Sequence, residues 1–400
     1  MFHIKKHYYI KISLSWMTIY KKLLNSDLKT KLFTCQLFLI CTFVCIMTLS
    51  ESLLNWYSQN KRPLPWRETR DPYKIWLSEI VLQQTRVAQG TDYYHRFLAA
   101  FPDVRSLAAA AEQDVLKLWQ GLGYYSRARN MHYTAKEVVE KHNGIFPGSS
   151  AGLKKLKGIG DYTAAAIASI CYDESTAVLD GNVARVISRI YAIDTPVDTN
   201  AGRKIITDMA NSLLDTHHPG TFNQAVMELG ALVCTPKSPA CNTCPIAFAC
   251  EALKQDQTGN FPVKTPKKTP AIRHLNYLVI SFMKDKEEFI LMRKRTGSDI
   301  WKNMYDFPCI ETVEASDATD VLDTCVKSGL LEGFPFVVKN VSDEYIHQLS
   351  HRRLLARFIR IEVQGVPMLH ENMTSVRKDK IAELPLPRLI DRYLATLLLL

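Results

Sequence analysis

Leu156-Lys157-Gly158-Ile159-Gly160-Asp161-Tyr162-Thr163-Ala164 is the stretch on which the reading of the fold turns. Two glycines one residue apart, followed by an acid and an alanine-rich run, predict a tight link between two helices, the second beginning near Asp161. Glycine lets backbone N–H groups approach a phosphate, and the N-terminus of the following helix adds its positive end. Such a contact grips a nucleic-acid backbone and reads no base sequence. A G-x-G pair alone is a weak signal, because links between helices often use glycine.

Further along, Cys234, Cys241, Cys244 and Cys250 are spaced C-x6-C-x2-C-x5-C. A compact four-thiolate loop suits a [4Fe–4S] cluster or a structural zinc. Zinc sites favour two C-x2-C pairs, and this loop has one. Two disulfides are disfavoured, since a disulfide framework belongs to small secreted chains and this chain is neither small nor cysteine-dense. Cys35, Cys41, Cys45, Cys171, Cys309 and Cys325 have no spacing that suggests ligation.

These features do not stand alone. Leu64-Pro65-Trp66-Arg67, Ser78-Glu79-Ile80-Val81-Leu82-Gln83-Gln84-Thr85, Gly121-Leu122-Gly123-Tyr124-Tyr125-Ser126-Arg127 and Val178-Leu179-Asp180-Gly181-Asn182-Val183 flank the hairpin. Their order resembles the helix-hairpin-helix, iron–sulfur DNA glycosylase superfamily, and within it the MutY-type adenine glycosylases. The resemblance runs from about Leu53 to the C-terminus. It implies an all-α helix-hairpin-helix glycosylase domain with a [4Fe–4S] cluster on the cysteine quartet, followed by an α/β Nudix-like domain. The implied substrate is double-stranded DNA with adenine opposite 8-oxoguanine or guanine, and the implied setting is base excision repair by a monomer in the cytoplasm, at the nucleoid.

Composition agrees with a DNA partner without demanding one. Hydrophobic residues make up 47% and charged residues 22% of the 400 residues, as in an ordinary globular chain, and the formal net charge is +10. Residues 32–49 carry no charge, near the minimum length for a membrane helix of about 17–25 residues. The favoured reading is that translation begins at Met47, because an anchor would hold a DNA enzyme away from its substrate.

Residues 1–49 are thus set aside as an extension. A glycosylase domain is expected over 50–254, with helices beginning near Pro72, Thr91, Glu112, Ser126, Asp161, Asn182, Arg203 and Phe222. Asp71 and Asp114 are the candidate caps. Prolines 262, 266 and 270 mark 255–271 as a linker. In 272–400, Asn276–Phe282 reads as a buried strand with Phe289–Met292 as hairpin partner, Phe358–Val363 as another strand, and Asp317–Lys327 as a helix. That helix lacks the acid-rich signature of Nudix hydrolases, so this domain is read as a recognition module.

Cutting an N-glycosidic bond requires protonating the base and stabilising a sugar cation, and two carboxylates in different surroundings can divide this work. Glu79 has Ile75, Trp76, Leu82 and Gln83 as helical neighbours, which should desolvate it and raise its pKa. Asp180 precedes a predicted helix and reads equally as its cap. The resemblance implies that Glu79 protonates adenine, that ionised Asp180 stabilises the sugar cation, and that Asn182 positions it. The lyase branch carries a lysine at the position of Tyr162; a phenol forms no imine, so Tyr162 implies a monofunctional enzyme.

Adenine must leave the stack to be reached. The resemblance places Gln84 and an intercalating Tyr124 in the duplex, Arg62 and Gln224 near the flipped base, and Gly158 and Gly160 on phosphate. Ser350 and His351 match the loop that recognises 8-oxoguanine, although Leu349 stands where that loop usually has Phe. The rival readings are a bifunctional lyase and a non-catalytic DNA-binding scaffold.

Overall fold

The computed structural model describes residues 49–266, 269–331, 333–349, 352–367 and 369–397. The uncharged stretch 32–48, Met47 included, lies outside them, as do Ser350 and His351; no helix among the described residues is long and apolar enough to cross a membrane. The helices are α1 (49–60), α2 (Pro72–Leu82), α3 (Val87–Ala100), α4 (Val104–Ala109), α5 (Glu112–Trp119), α6 (Ser126–His142), α7 (Asp161–Tyr172), α8 (Gly181–Tyr191), α9 (Asn200–Leu213), α10 (Pro219–Leu232), α11 (Ala318–Lys327) and α12 (Arg388–Leu397), with shorter helical turns between. The chain divides into two compact units, one of residues up to Arg62 with Ser175–Val263, the other of Pro63–Glu174 with Lys264–Leu400.

In the first unit α8 is the buried centre. Val183, Val186, Ile187 and Ile190 lie in the core, yet so do the charged Arg185 and Arg189. A buried guanidinium must find acceptors. Arg189 donates to the carbonyls of Thr258 (2.9 Å), Phe261 (3.1 Å) and Thr235 (2.8 Å). Val197 N–H also donates to the Val263 carbonyl at 3.0 Å. The first half of the expected linker is therefore packed chain, and only the part beyond Val263 leaves this unit.

The second unit joins helices to a sheet. Asp71 caps α2 through the Tyr73 N–H (2.9 Å), as expected, and Pro72 occupies the first turn. Several other helices begin earlier than the sequence suggests. α3 starts at Val87, and the Thr91 hydroxyl bonds back to the Val87 carbonyl inside the helix. Asp114 is not a cap: α5 begins after Ala111 without a side-chain cap, and Asp114 sits in the first turn, where the helix dipole favours an acid. α8, α9 and α10 start one to three residues before Asn182, Arg203 and Phe222. α4 has a capping box that the reading passed over, Asp103 with Ser106.

The sheet comprises β1 (Ala271–Lys284), β2 (Glu287–Lys294), β3 (Tyr305–Asp306), β4 (Cys309–Thr312), β5 (Phe336–Val341), β6 (Tyr345–Gln348), β7 (Arg352–Val363) and β8 (Met373–Arg377), with the central order β3-β2-β1-β7-β5. The hairpin partner of β1 is β2, with Phe282 opposite Phe289. β1 and β7 run parallel, Tyr277 opposite Phe358. Alternation sends Leu278, Ile280, Ile359 and Ile361 to one face, where Val321 and Cys325 of α11 cover them. On the other face Phe358 stacks on Tyr393 of α12, ring centroids 3.8 Å apart. The sheet is thus closed by one helix on each side, a layered α/β arrangement.

Candidate active site

In the first unit Asp180 occupies the N-cap of α8. Its carboxylate accepts from the Val183 N–H (2.7 Å) and from the Asn182 amide (2.9 Å). Burial raises its pKa, and these hydrogen bonds pull in the opposite direction without cancelling the rise. The capping reading and the chemical reading therefore describe one group, although burial works against the ionised form that a cap would otherwise favour. Asn182 is itself held, its side-chain oxygen accepting from Arg185 at 2.9 Å; Arg185 also donates to the carbonyls of Gly230 and Cys234, each at 2.7 Å.

Gln224 and Glu228 stand four apart on α10, on one face. Gln224 accepts from the Tyr57 hydroxyl at 2.6 Å. Arg62 forks onto Glu228 through Nε (2.9 Å) and Nη2 (2.6 Å), and its backbone N–H donates to the same carboxylate. Glu228 is 1% exposed. The guanidinium of Arg62, read in the sequence as a contact to adenine, is thus engaged by a buried acid that the sequence reading missed. The available signal was the i, i+4 spacing from Gln224.

The four cysteines gather at the C-terminal end of α8. Arg189 donates to Cys234 Sγ at 3.2 Å, and the Cys250 thiol donates to the Arg189 carbonyl at 3.4 Å. Burial, with the nearby Cys234, Cys250 and Cys241 sulfurs adding to it, pushes the Cys244 thiol up to about 11. Thiolates so placed need positive charge, which a bound metal group supplies, so the donor set fits one. Among the described residues no three His, Cys, Asp or Glu side chains converge on the position of a single ion.

In the second unit Glu79 is 9% exposed on α2, beside the buried Ile75, Trp76 and Ile80. Tyr162, half-buried, is the second residue of α7. Gly158 has φ +80, and a Cβ there would lie 2.8 Å from Asn130 Cβ, so the turn requires glycine. Gly160 differs: nothing lies within 4 Å of the Cβ position, leaving its backbone open at the start of α7.

Gln84 and Tyr124 are both exposed, and both have left-handed backbone, φ 59 and 47. Non-glycine residues are rare there and persist where the surroundings hold them. Arg127, which the sequence reading passed over, supplies that hold. It donates to the carbonyls of Ile80 (2.8 Å), Val81 (3.3 Å) and Gln83 at the C-terminal end of α2, just before Gln84, and to those of Leu122 (3.3 Å) and Gly123 (3.2 Å) in the loop that carries Tyr124. Burial lowers its pKa to about 10. Around Ser350 and His351, the described flank shows Leu349 N–H donating to the Arg352 carbonyl at 2.8 Å.

Comparison with known proteins decides the family. Residues 77–207 match the description "HhH-GPD superfamily base excision DNA repair protein", and residues 279–396 match a NUDIX domain. The adenine DNA glycosylase of Buchnera aphidicola subsp. Baizongia pistaciae is 33% identical over 329 residues, covering 82% of this chain and 89% of that one. The chain belongs to the adenine DNA glycosylase family. The rat adenine DNA glycosylase is 45% identical over 216 residues, 52% of this chain and 42% of its own. A thermostable thymine-DNA glycosylase of known structure superposes with a TM-score of 0.50 at 25% identity, over 54% of this chain and 99% of that one. As a member of this family the chain is a DNA glycosylase of base excision repair, with a helix-hairpin-helix region followed by a Nudix-like domain.

Proposed function

We propose that this glycosylase hydrolyses the N-glycosidic bond of adenine mispaired with 8-oxoguanine or guanine and leaves an abasic site. The observation that carries the reading is the grip on Asp180. A carboxylate fixed by a backbone N–H and an amide is already aimed when positive charge develops on the sugar, so no reorganisation is needed at that moment. Glu79, nearly buried on α2, delivers the proton to the departing base, and Asn182 keeps Asp180 oriented. Tyr162 forms no imine, so the strand stays intact.

Gly158 and Gly160 present backbone N–H groups to a phosphate, and Gln84 and Tyr124 fill the stack that the flipped adenine vacates. Arg62 and Gln224, themselves held by Glu228 and Tyr57, wall the adenine pocket. Cys234, Cys241, Cys244 and Cys250 hold a [4Fe–4S] cluster, which when bound supplies positive charge and cross-links the loop; hydrolysis asks no redox step of it. Ser350 and His351 read the 8-oxoguanine.

The test is single-turnover base release from a duplex with adenine opposite 8-oxoguanine, half the samples treated with alkali. Strand cleavage only after alkali is expected. Cleavage without alkali, or a borohydride-trapped complex, would establish a lyase instead. Binding without release by the holoprotein would establish a scaffold. Glu79→Gln should bind the duplex and release no adenine; wild-type turnover in that variant removes the acid assignment.

A further inference from the structure

The loop that presents Tyr124 is tied in two directions. Toward α2 the tie is Arg127. Toward the sheet domain it is the end of α5 and the loop itself. Gln120 donates through Nε2 to Asp391 at 3.1 Å, and its Oε1 accepts from the Leu386 N–H at 3.3 Å. Tyr125 places its hydroxyl 3.4 Å from the Leu386 carbonyl, and Lys117 donates to the carbonyls of Ala382 and Leu384. Asp391 lies in the first turn of α12, whose Tyr393 stacks on Phe358 of β7. β7 pairs with β6, next to the Ser350–His351 segment.

The loop has little slack of its own. The Tyr93 hydroxyl bonds the Gln120 carbonyl, and the Trp119 indole donates to the Gly123 carbonyl at 2.9 Å. These bonds fix the backbone on both sides of Tyr124, at Gln120 and at Gly123. The geometry points to Gln120 as a positioning residue that couples the C-terminal sheet domain to Tyr124, so that the base opposite adenine controls excision. This coupling rests on the functional reading above. The chain of contacts runs from the Tyr124 loop through Gln120 to Asp391 and Leu386.

The experiment compares single-turnover adenine release opposite 8-oxoguanine and opposite guanine in holoprotein. In Gln120→Ala the ratio of the two rates should fall on the order of tenfold, a usual coupling magnitude, through loss of the 8-oxoguanine advantage. The double variant Gln120→Glu with Asp391→Asn reverses the donor and keeps an acceptor for Leu386 N–H, so it should restore the ratio. An unchanged ratio, a parallel fall of both rates, or a ratio that the double variant fails to restore overturns the assignment. Amide hydrogen exchange at Gly121, Gly123 and Tyr124 gives a second readout, and the link requires it to quicken in Gln120→Ala. If the wild type releases adenine from neither duplex, the functional reading falls, while unchanged exchange separately removes the link.

Discussion

Gly230→Ala tests whether the start of α8 must sit where it does. Gly230 lies on α10 against Asn182: an added Cβ would be 2.7 Å from Asn182 Cβ and 3.1 Å from Asn182 Cα and O. Carbon atoms in ordinary contact stand about 3.5–4.0 Å apart, so the helices must separate by roughly 1 Å. The colliding atoms belong to backbone and Cβ, and no side-chain rotation relieves them. Alanine gains about 1 kcal/mol of helix propensity over glycine, and overpacking costs about 1–3 kcal/mol. Net stability should therefore change little, falling by at most about 2 kcal/mol. Activity should change far more. Asn182 holds Asp180, and a displacement of 1 Å at a positioning group can lower the rate about 100-fold, a barrier increase of about 2.7 kcal/mol. Single-turnover adenine release and urea unfolding of the same holoprotein measure the two effects. Gly259→Ala is the control, since nothing lies within 4 Å of its Cβ position. A Gly230→Ala enzyme with wild-type release would refute the argument that this contact sets the position of Asp180.

Three further outcomes follow from the same geometry. Asp180→Asn should abolish release while keeping the cap on Val183. Because burial raises the folded-state pKa of Asp180, the wild type loses stability relative to this variant as pH rises above the unfolded value of about 3.9; urea midpoints of both at pH 3.5 and 7 would show it, and a difference between them that does not shift toward the variant at pH 7 would refute it. Arg62→Ala strips the forked partner from a carboxylate that is 1% exposed, while Arg62 itself is 34% exposed, so unfolding free energy should drop by about 1–3 kcal/mol, between the worth of a surface pair and that of a buried one; a loss below about 0.5 kcal/mol would contradict this reading. Cys241→Ser should weaken the cluster site and, through Cys234 and Arg189, loosen Thr258–Phe261; limited proteolysis should then cut this segment faster than in wild type, and equal rates would separate it from the cysteine loop.

Local chemistry made a large part of this protein legible in its sequence. Asp71-Pro72 announced a helix, and Asp180 announced both a cap and a carboxylate, because a cap is made by residues two or three apart. The glycines of the hairpin, the cysteine spacing, the apolar run in β1 and the alternation in β7 are local in the same sense. The start at Val87 was misjudged, and Asp114 was misassigned as a cap, because backbone conformation, with no side-chain cap, sets both N-termini. What the sequence alone determined was the order of elements, the carboxylates of Glu79 and Asp180 and the phenol of Tyr162 as candidate groups, and the four thiols.

Tertiary structure decided how those groups are held. Arg62 finds Glu228, Arg127 gathers carbonyls from the end of α2 and from the Tyr124 loop, and Arg185 joins Asn182 to Gly230 and the Cys234 carbonyl. Gln120 reaches Asp391 and Leu386 across the chain. Most of these acceptors are backbone carbonyls, which every residue possesses, so no residue type marks them in advance. A buried guanidinium must be satisfied, but only the folded chain selects which carbonyls satisfy it.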